Sequence, residues 1–117
     1  MTTHTPPPLK PRAVQILLSL ADRELHGNEI MEEVLERTGG HLKLWPGTLY
    51  GSLHDLDERG LIREVETPSS ASVEGGRPRY YAITGEGRAA LRAEVERMAD
   101  LVRTARRKRV VDGMEPA

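Results

Sequence analysis

A helix-sized segment from Pro46 to Gly60 restricts the fold of this chain more than any other feature. Proline is tolerated in the first turn of a helix, and glycine is usual just past a helix end. Between them, Leu49, Leu53 and Leu56 follow the spacing i, i+4 and i+7, so the segment has one apolar edge that docks on the body of a domain. The pattern predicts a short amphipathic helix.

The opposite face of this helix is small and uncharged near its N-terminus. At 100° per residue, Gly47, Thr48 and Gly51 point away from the leucines, with Tyr50 and Ser52 on the flanks. A solvated helix more often carries Lys and Glu at such positions. We therefore expect the backbone to approach another surface and to present N–H groups and hydroxyls to phosphates or base edges.

The chain after the helix has the pattern of a β-hairpin with a basic tip. Residues 61–65 have the composition of a strand, residues 67–76 are rich in Ser, Pro and Gly, and residues 79–83 return antiparallel. Arg77 and Arg79 stand at the tip, where strand alternation sends both side chains to one side. This order predicts a winged helix-turn-helix, which is mainly α with a small β-hairpin (α+β).

The composition limits the class of protein. A chain of 117 residues with 38% apolar content has room for one small domain and an appended element. It contains no cysteine, which excludes disulfides, thiolate metal ligands and cysteine nucleophiles and is typical of a reducing compartment. The sequence shows no signal peptide, and no apolar run reaches the roughly 20 residues that a bilayer requires. We therefore expect a soluble, cytoplasmic protein without membrane contact.

The distribution of charge is more informative than its sum. The formal net charge is −1, although Lys and Arg that neutralise phosphates supply much of the affinity for nucleic acid. The basic residues gather in three clusters, which are Lys10 with Arg12, Arg77 with Arg79, and residues 103–109. Aromatic residues make up only 3% of the chain, which argues against a stacking platform for single strands. A dimer would double each basic cluster.

The N-terminal part of the chain divides into an arm and two helices. Residues 1–11 are rich in Thr and Pro and are interpreted as a flexible arm. Residues 12–23 are apolar on nearly every side, which suits a helix packed between two partners. Asn28 is expected to cap a second helix that runs to about Thr38. Residues 12–83 form the predicted winged helix-turn-helix domain.

A long helix is predicted at the C-terminal end, with Thr84 as its N-cap. Its apolar positions follow a heptad, and a length of about 40 Å at 1.5 Å per residue exceeds what one small domain covers. We therefore interpret residues 84–110 as a homodimerisation helix and residues 111–117 as a frayed tail; the alternative is an amphipathic helix packed within one chain. The predicted dimer interface consists of Ile16, Leu20, Leu91, Val95, Met98, Val102 and Ala105.

Catalysis is not expected. The four histidines are dispersed, and no two of them have the i, i+4 spacing of a helical metal site. His26 is interpreted instead as a residue that stabilises the turn before the second helix. Gly75 and Gly76 are not followed by the Lys and Ser or Thr of a phosphate loop. The sequence predicts neither an enzyme nor a metal or cofactor site.

Four segments resemble one family in order and spacing. They are His26–Ile30, Pro46–Leu53, Leu56–Ile62 and Gly76–Gly87. Together they resemble the PadR-like transcriptional regulators over roughly residues 12–110, and the single C-terminal helix is similar to the compact subfamily. The resemblance implies a homodimeric winged-helix regulator, usually a repressor, that binds double-stranded DNA at a dyad-symmetric operator and can be released by a small-molecule effector.

The chain also departs from the family pattern. Many relatives carry an aromatic residue at the position of Asn28 and proline at the position of Gly51. Some compact relatives bind planar drugs through a tryptophan on the last helix, and this chain has no aromatic residue in that helix, so that pocket is not expected. An effector pocket is placed where the first and last helices of two chains meet, with a filled dimer core as the alternative. Its predicted lining is Ile16, Leu20, Leu91 and Met98.

If the Pro46 helix lies in a major groove, its first two turns approach the bases. Thr48, Ser52 and His54 are the predicted base contacts, and Tyr50 is predicted to contact a phosphate through its hydroxyl. The alternative roles are helix capping for Thr48, partial core packing for Tyr50 and a solvated position for His54.

Basic residues outside this helix complete the predicted DNA contacts. Arg77 and Arg79 are expected to reach a minor groove or the flanking phosphates, and Lys10 and Arg12 to add contacts to the DNA backbone. Residues 103–109 have a simpler explanation as a solvated face or as cations that complement the helix dipole. A winged-helix module that binds protein rather than DNA remains the rival function, because a fold does not fix a function.

Overall fold

A computed structural model of the chain describes residues 8–67 and 79–111. Residues 1–7 of the predicted arm, the hairpin tip with Arg77, and residues 112–117 of the predicted tail lie outside these ranges. The elements are α1 (Pro11–Ser19), β1 (Leu25–His26), α2 (Gly27–Arg37), α3 (Pro46–Glu58), β2 (Ile62–Val65), β3 (Tyr80–Ile83) and α4 (Gly85–Arg107). Four helices with a small antiparallel sheet confirm the predicted fold class, a mainly α winged helix-turn-helix.

The sheet has three strands in the order β1-β3-β2, all antiparallel. The predicted hairpin is β2 and β3, paired with Ile62 opposite Ile83 and Val65 opposite Tyr80. The third strand, β1, was not predicted from the sequence, because two residues are too few to show an alternating pattern. It pairs Leu25 with Tyr81 and places the start of α2 beside the wing.

The N-cap of α2 is His26 and not Asn28, so the predicted cap is wrong by two residues. The backbone N–H of Glu29 donates to His26 Nδ1 at 3.3 Å, and the backbone N–H of His26 donates to Glu29 Oε1 at 3.1 Å. This reciprocal pair is a capping box, with an imidazole nitrogen in the place of the usual hydroxyl. The prediction that His26 stabilises this turn is confirmed.

The core forms around α1, which packs against α2, α3 and α4. Its side chains Ile16 and Leu17 are fully buried. The helix ends at Ser19, before the predicted boundary at residue 23, and Leu20 is its C-cap. Ser19 is itself fully buried and accepts a 3.0 Å hydrogen bond from Arg37 Nη2. Arg37 thereby ties the end of α2 to α1.

Glu33 joins this polar contact between the first two helices. Partial burial raises the pKa of Glu33, but hydrogen bonds from Arg23, Ser19 and Arg37 outweigh that effect and hold it below the usual value. The ion pairs of Glu33 with Arg23 and Arg37 both measure 3.0 Å. The carboxylate therefore stays charged and orients both arginines.

The start of α4 is held tightly against the turn that follows α3. Thr84 is the N-cap, as predicted, and its hydroxyl accepts from the Gly87 N–H at 3.0 Å while donating to the Gly60 carbonyl at 2.7 Å. A Cβ on Gly87 would lie 2.0 Å from the carbonyl oxygen of Leu61. Only glycine allows this close approach of two backbones.

The apolar stripe of α4 changes its surroundings along the helix. Gly87, Ala90 and Leu91 in the first half are buried. In the second half, Met98 and Leu101 of the same stripe are exposed, Leu101 to 71%. A helix of 23 residues is about 35 Å long, so α4 extends beyond the body of its own domain. Within the described ranges no helix is long and apolar enough to span a bilayer.

Candidate nucleic-acid interface

Helix α3 is anchored by its leucines and offers its other face to solvent. Leu49, Leu53 and Leu56 are buried, and Gly60 ends the helix with a φ of 75°. Trp45 is the N-cap, and among the described residues no side chain caps the first N–H groups. Thr48 is therefore not a capping residue, and it is exposed. The N-terminal part of the α3 face that lies opposite the leucines, with Gly47, Thr48 and Gly51, is therefore exposed to solvent in the single chain.

A groove of about 490 Å³ lies between the start of α1 and the free face of α3. Four of the predicted DNA contacts and one further cation meet in its wall. They are Lys10 and Arg12 from the α1 side and Thr48, Ser52 and Arg59 from α3. The groove therefore combines two hydroxyls and three positive charges with the single carboxylate of Asp55, which also lines it. Hydroxyls and an excess of cations are groups that bind phosphate oxygens.

Arg12 and Ser52 connect the two walls of this groove. Arg12 Nε donates to Ser52 Oγ at 3.1 Å, across 40 positions of sequence. Because Oγ accepts this bond, the hydroxyl proton of Ser52 remains able to donate to an incoming acceptor. The hydrogen bond therefore fixes the Ser52 side chain in the wall of the groove.

Arg59 was not among the predicted site residues. Arg59 Nη1 lies 3.6 Å from Asp55 Oδ2 in an ion pair, and the Arg59 side chain is 30% exposed. The signal in the sequence is its spacing, because Arg59 follows Ser52 by seven residues and so lies on the same side of the helix. A cation in the last turn of a helix is usually explained by the helix dipole alone.

Glycines keep the groove open. Gly47 and Gly51 both line it, and no heavy atom of the described residues lies within 4 Å of a Cβ built on either one. The space is therefore available to a molecule that approaches the α3 backbone.

The structure places Tyr50 and His54 outside the groove. Tyr50 is 47% exposed, and its hydroxyl rests on Gly27 so closely that a Cβ on that glycine would lie 2.5 Å away. The residue thus combines partial packing with an accessible ring. His54 is exposed, and its Nε2 atom lies 3.8 Å from Glu58 Oε1. The position of His54 agrees with its alternative role as a solvated residue.

Of the two wing arginines, only Arg79 belongs to the described residues. It is exposed and lies 3.9 Å from Glu64 Oε1 on the neighbouring strand. Behind it, Tyr81 is 6% exposed, and burial raises the pKa of Tyr81 above its usual value. Tyr80 packs against His26 instead. One tyrosine of the pair, Tyr81, therefore belongs to the core.

The predicted dimer residues fall into two groups. Ile16 and Leu20 are 0% and 2% exposed, so the core of a single chain already encloses them, and Leu91 is also buried. Val95 and Met98 are about half exposed, and Val102 and Ala105 are half-buried. Of the predicted interface residues, Val95, Met98, Val102 and Ala105 keep apolar surface that is available to a partner. Two leucines that were not predicted to lie at the interface are also exposed. Leu18 lies between Ile16 and Leu20 in the sequence, and Leu101 lies between Met98 and Val102.

The basic run at the end of α4 is partly paired. Arg103 forms an ion pair with Asp100. Arg106 and Arg107 lie in the last helical turn, where a positive charge complements the helix dipole. These placements agree with the simpler explanation of the run.

A sequence model of the PadR-like family of transcriptional regulators matches residues 16–93, from α1 into the first half of α4. The chain belongs to this family. The resemblance inferred from four short segments is thereby confirmed. Because members of the family are transcription factors rather than enzymes, the prediction that the chain is not an enzyme is also confirmed.

Two relatives show how far the sequence similarity extends. The transcriptional regulator Rv3488 of Mycobacterium tuberculosis is 37% identical over 90 residues, which are 77% of this chain and 78% of that protein. An uncharacterised 37.1 kDa protein in transposon Tn4556 of Streptomyces fradiae is 40% identical over 86 residues. That alignment covers 74% of this chain but 22% of the longer protein.

Solved structures share the fold. A PadR family transcription regulator from Clostridium difficile R20291 superimposes with a TM-score of 0.70 at 26% identity and covers 82% of this chain and 95% of its own. PadR of Bacillus subtilis, solved in complex with operator DNA, gives a TM-score of 0.64 at 22% identity over 76% of this chain and 48% of its own. At that identity the similarity concerns the fold alone.

Proposed function

We propose that this PadR-family regulator is a repressor that binds a dyad-symmetric operator as a homodimer and is released by a small molecule. The observation that carries the DNA-binding part is the groove that brings Lys10, Arg12, Thr48 and Ser52 together beside the free face of α3. The presence of operator DNA in the structure of Bacillus subtilis PadR, which shares the fold, supports the same function.

In the proposed complex, α3 enters a major groove with its N-terminal turns toward the bases. Thr48 and Ser52 exchange hydrogen bonds there, while Arg12 and Arg59 face the phosphates at the rim. Tyr50 and His54, four residues apart, lie together on the flank of α3 that faces away from the groove, and we expect both to contact the DNA backbone there. Lys10, exposed at the lip of the α1 wall, adds a charge that needs no precise geometry.

The wing supplies the remaining contacts. Arg79 is exposed and directly precedes β3, and Arg77 comes two residues earlier in the sequence. We propose that both side chains reach the minor groove or its phosphates beside the major groove that α3 occupies. Arg79 lies 3.9 Å from Glu64 Oε1, and we expect a phosphate to replace this carboxylate as its partner in the complex.

Two copies are proposed to join through residues 84–110, with residues 12–83 as the DNA-binding domain. The exposed stripe that includes Val95, Met98 and Leu101 would be buried between the two α4 helices. Because Ile16 and Leu20 belong to the core, an effector would contact the outer side of α1, where Leu18 is exposed. The proposal that a small molecule releases the regulator from DNA rests on the family resemblance.

Selection of bound duplexes from a random pool tests the function directly. The expected result is an enriched sequence with two inverted half-sites whose centres are about 34 Å apart, one turn of DNA, or a multiple of that distance. Trp45 is the only tryptophan of the chain and directly precedes α3, so its emission reports whether a bound duplex lies at this helix. A pool without enrichment, or enriched sites without dyad symmetry, would contradict the proposal.

Replacing Arg79 with alanine is expected to reduce the salt dependence of DNA binding. Each lost phosphate contact lowers the slope of log K against log salt by about 0.9, hence by about 1.8 for the two wings of a dimer. Fluorescence anisotropy of a labelled duplex at several salt concentrations measures this slope. Arg92→Ala is the matched control, because Arg92 is also exposed and paired to a glutamate, at 3.1 Å, but lies on α4. Equal salt slopes for Arg79→Ala and Arg92→Ala would show that the wing is not part of the DNA interface.

Replacing Gly51 with alanine is expected to stabilise the protein and weaken DNA binding. Alanine inside a helix is favoured over glycine by roughly 0.5–1 kcal/mol, and the new Cβ meets open space. The same methyl group obstructs the approach of DNA to α3, and we expect affinity to fall by about fivefold or more, as for other overpacked contacts. Urea unfolding and anisotropy measure the two effects. Unchanged affinity would show that DNA does not approach the backbone at this position.

A further inference from the structure

His26 has a second contact that its capping role does not require. Its ring packs against the ring of Tyr80, with centroids 5.2 Å apart and an interplanar angle of 84°. Perpendicular aromatic rings at this distance attract each other. Tyr80 is the first residue of β3, directly after Arg79, and it is also the backbone partner of His26 in the sheet. The ring of His26 therefore braces the strand that carries the wing arginine.

The imidazole is held in one orientation by Glu29. Nδ1 accepts the backbone N–H of Glu29 at 3.3 Å, and Nε2 lies 3.5 Å from the carboxylate of the same residue. A neutral ring that accepts at Nδ1 carries its proton on Nε2, which faces that carboxylate. Because Nδ1 accepts in the capping box, the ring cannot turn away from Tyr80 without breaking that hydrogen bond. The brace is therefore as rigid as the start of α2.

The next residue, Gly27, contacts α3. A Cβ on Gly27 would lie 2.5 Å from the Tyr50 hydroxyl and 3.2 Å from Leu49 Cδ2, so α3 rests directly on the backbone of Gly27. Consecutive residues at the β1–α2 junction thus touch the wing strand on one side and α3 on the other. Because His26 and Gly27 are adjacent in the chain, covalent geometry fixes the distance between these two contacts.

We infer that His26 is a positioning residue for DNA binding, which sets the wing strand relative to α3 through its contact with Tyr80. The functional part of this inference rests on the proposed function, because it requires that Arg79 and α3 engage the same duplex. The contact itself belongs to the free protein. An effect on the wing can therefore be measured without DNA.

His26→Asn separates positioning from capping. Asparagine is a favoured N-cap, so the variant keeps an acceptor for the Glu29 N–H and loses only the ring that faces Tyr80. Tyr80→Leu removes the same contact from the other side and leaves the cap untouched. Asn28→Ala, an exposed neighbour in the same turn, is the control. Either of the first two variants is expected to loosen the wing, and Asn28→Ala is not.

Hydrogen exchange in the free protein gives the first readout. We expect the β3 amides to exchange at least about fivefold faster in His26→Asn and in Tyr80→Leu, as for loss of a contact between neighbouring side chains. The amides of α2 and α3 should exchange as in the unchanged protein. If β3 is equally protected in all variants, His26 does not brace the wing. If α2 loses protection as well in both variants, the role of the contact is general stability and the inference is overturned.

A double-mutant cycle with Arg79→Ala gives the second readout. His26→Asn alone is expected to weaken duplex binding about five- to tenfold and to lower the salt slope, because the wing arginine is no longer held in place. Added to Arg79→Ala it should have little further effect, since the contact that it positions is already gone. Additive losses would overturn the positioning role. Altered β3 exchange in a protein that binds no duplex would refute the proposed function and leave the brace intact.

Discussion

Replacing Gly87 with alanine should destabilise the protein by about 3 kcal/mol or more, a loss that falls in the upper range for single substitutions. The new methyl group would lie 2.0 Å from the backbone oxygen of Leu61 and 2.8 Å from Ile83 Cγ1. A backbone carbonyl cannot move aside as a flexible side chain does. The first turn of α4 would have to separate from β2 and β3. That movement also breaks the bonds of Thr84 to Gly60 and Leu61.

Gly85 offers a matched control in the same turn of the same helix. No heavy atom of the described residues lies within 4 Å of a Cβ placed there, so Gly85→Ala should be neutral or slightly stabilising. Urea unfolding followed by circular dichroism measures both variants. The expected result is a lower midpoint for Gly87→Ala with a similar denaturant slope. Similar midpoints for the two variants would show that the close approach of α4 to Leu61 is not a constraint on this fold.

Elements with strong local signals could be predicted from the sequence. Helix α3 is bounded by Pro46 and Gly60, and its leucines have helical spacing, so its bounds and buried face agree with the structure. Thr84 was recognised as a cap because threonine with an acidic residue in the first turn is a local pattern. In contrast, β1 has two residues and exists only because β3 pairs with it. The cap at His26 was missed because histidine is not among the usual capping residues.

The candidate site was predictable as a set of residues but not as an arrangement. Thr48 and Ser52 follow from the helix pattern, and Arg12 from the charge clusters. Their meeting in one groove depends on how α1 crosses α3, which a period of 3.6 residues does not contain. Arg59 was missed because a cation at a helix end has an ordinary local explanation.

The predicted dimer residues show that one sequence pattern fits two structures. The first helix is apolar on nearly every side, which predicts a helix packed between two partners. In the structure α2, α3 and α4 of the same chain surround it, so Ile16 and Leu20 are enclosed without a partner. A helix that is apolar all round is a buried helix, and the sequence does not distinguish burial within one chain from burial between two.

Replacing Leu101 with glutamate should dissociate the proposed dimer and reduce operator affinity by about 100-fold or more. The side chain is 71% exposed in one chain, so the change has little effect on the fold of the protomer. Between two α4 helices, however, it would place a charge in an apolar seam without a partner, which is unfavourable. Loss of the second reading domain removes the avidity of bivalent binding, commonly a factor of about 10²–10⁴.

Ala89→Glu is the matched control for charge and helix. Ala89 is exposed on α4 and lies nine residues before Met98, which places it on the opposite side of the helix from the apolar stripe. The control should remain dimeric and bind DNA almost normally. Sedimentation equilibrium measures the assembly, and anisotropy measures the binding. An Ala89→Glu variant as impaired as Leu101→Glu would mean that added charge, and not the stripe, causes the effect.

The length of the duplex then separates assembly from folding. If α4 serves to join two reading domains, Leu101→Glu should bind an isolated half-site as well as the unchanged protein does, and only the gain from the full operator should disappear. If it instead weakens binding to the half-site and to the full operator by the same factor, then α4 supports the reading domain itself, and the homodimer is not the form that recognises DNA. The half-site is informative because one protomer fills it, so avidity cannot contribute.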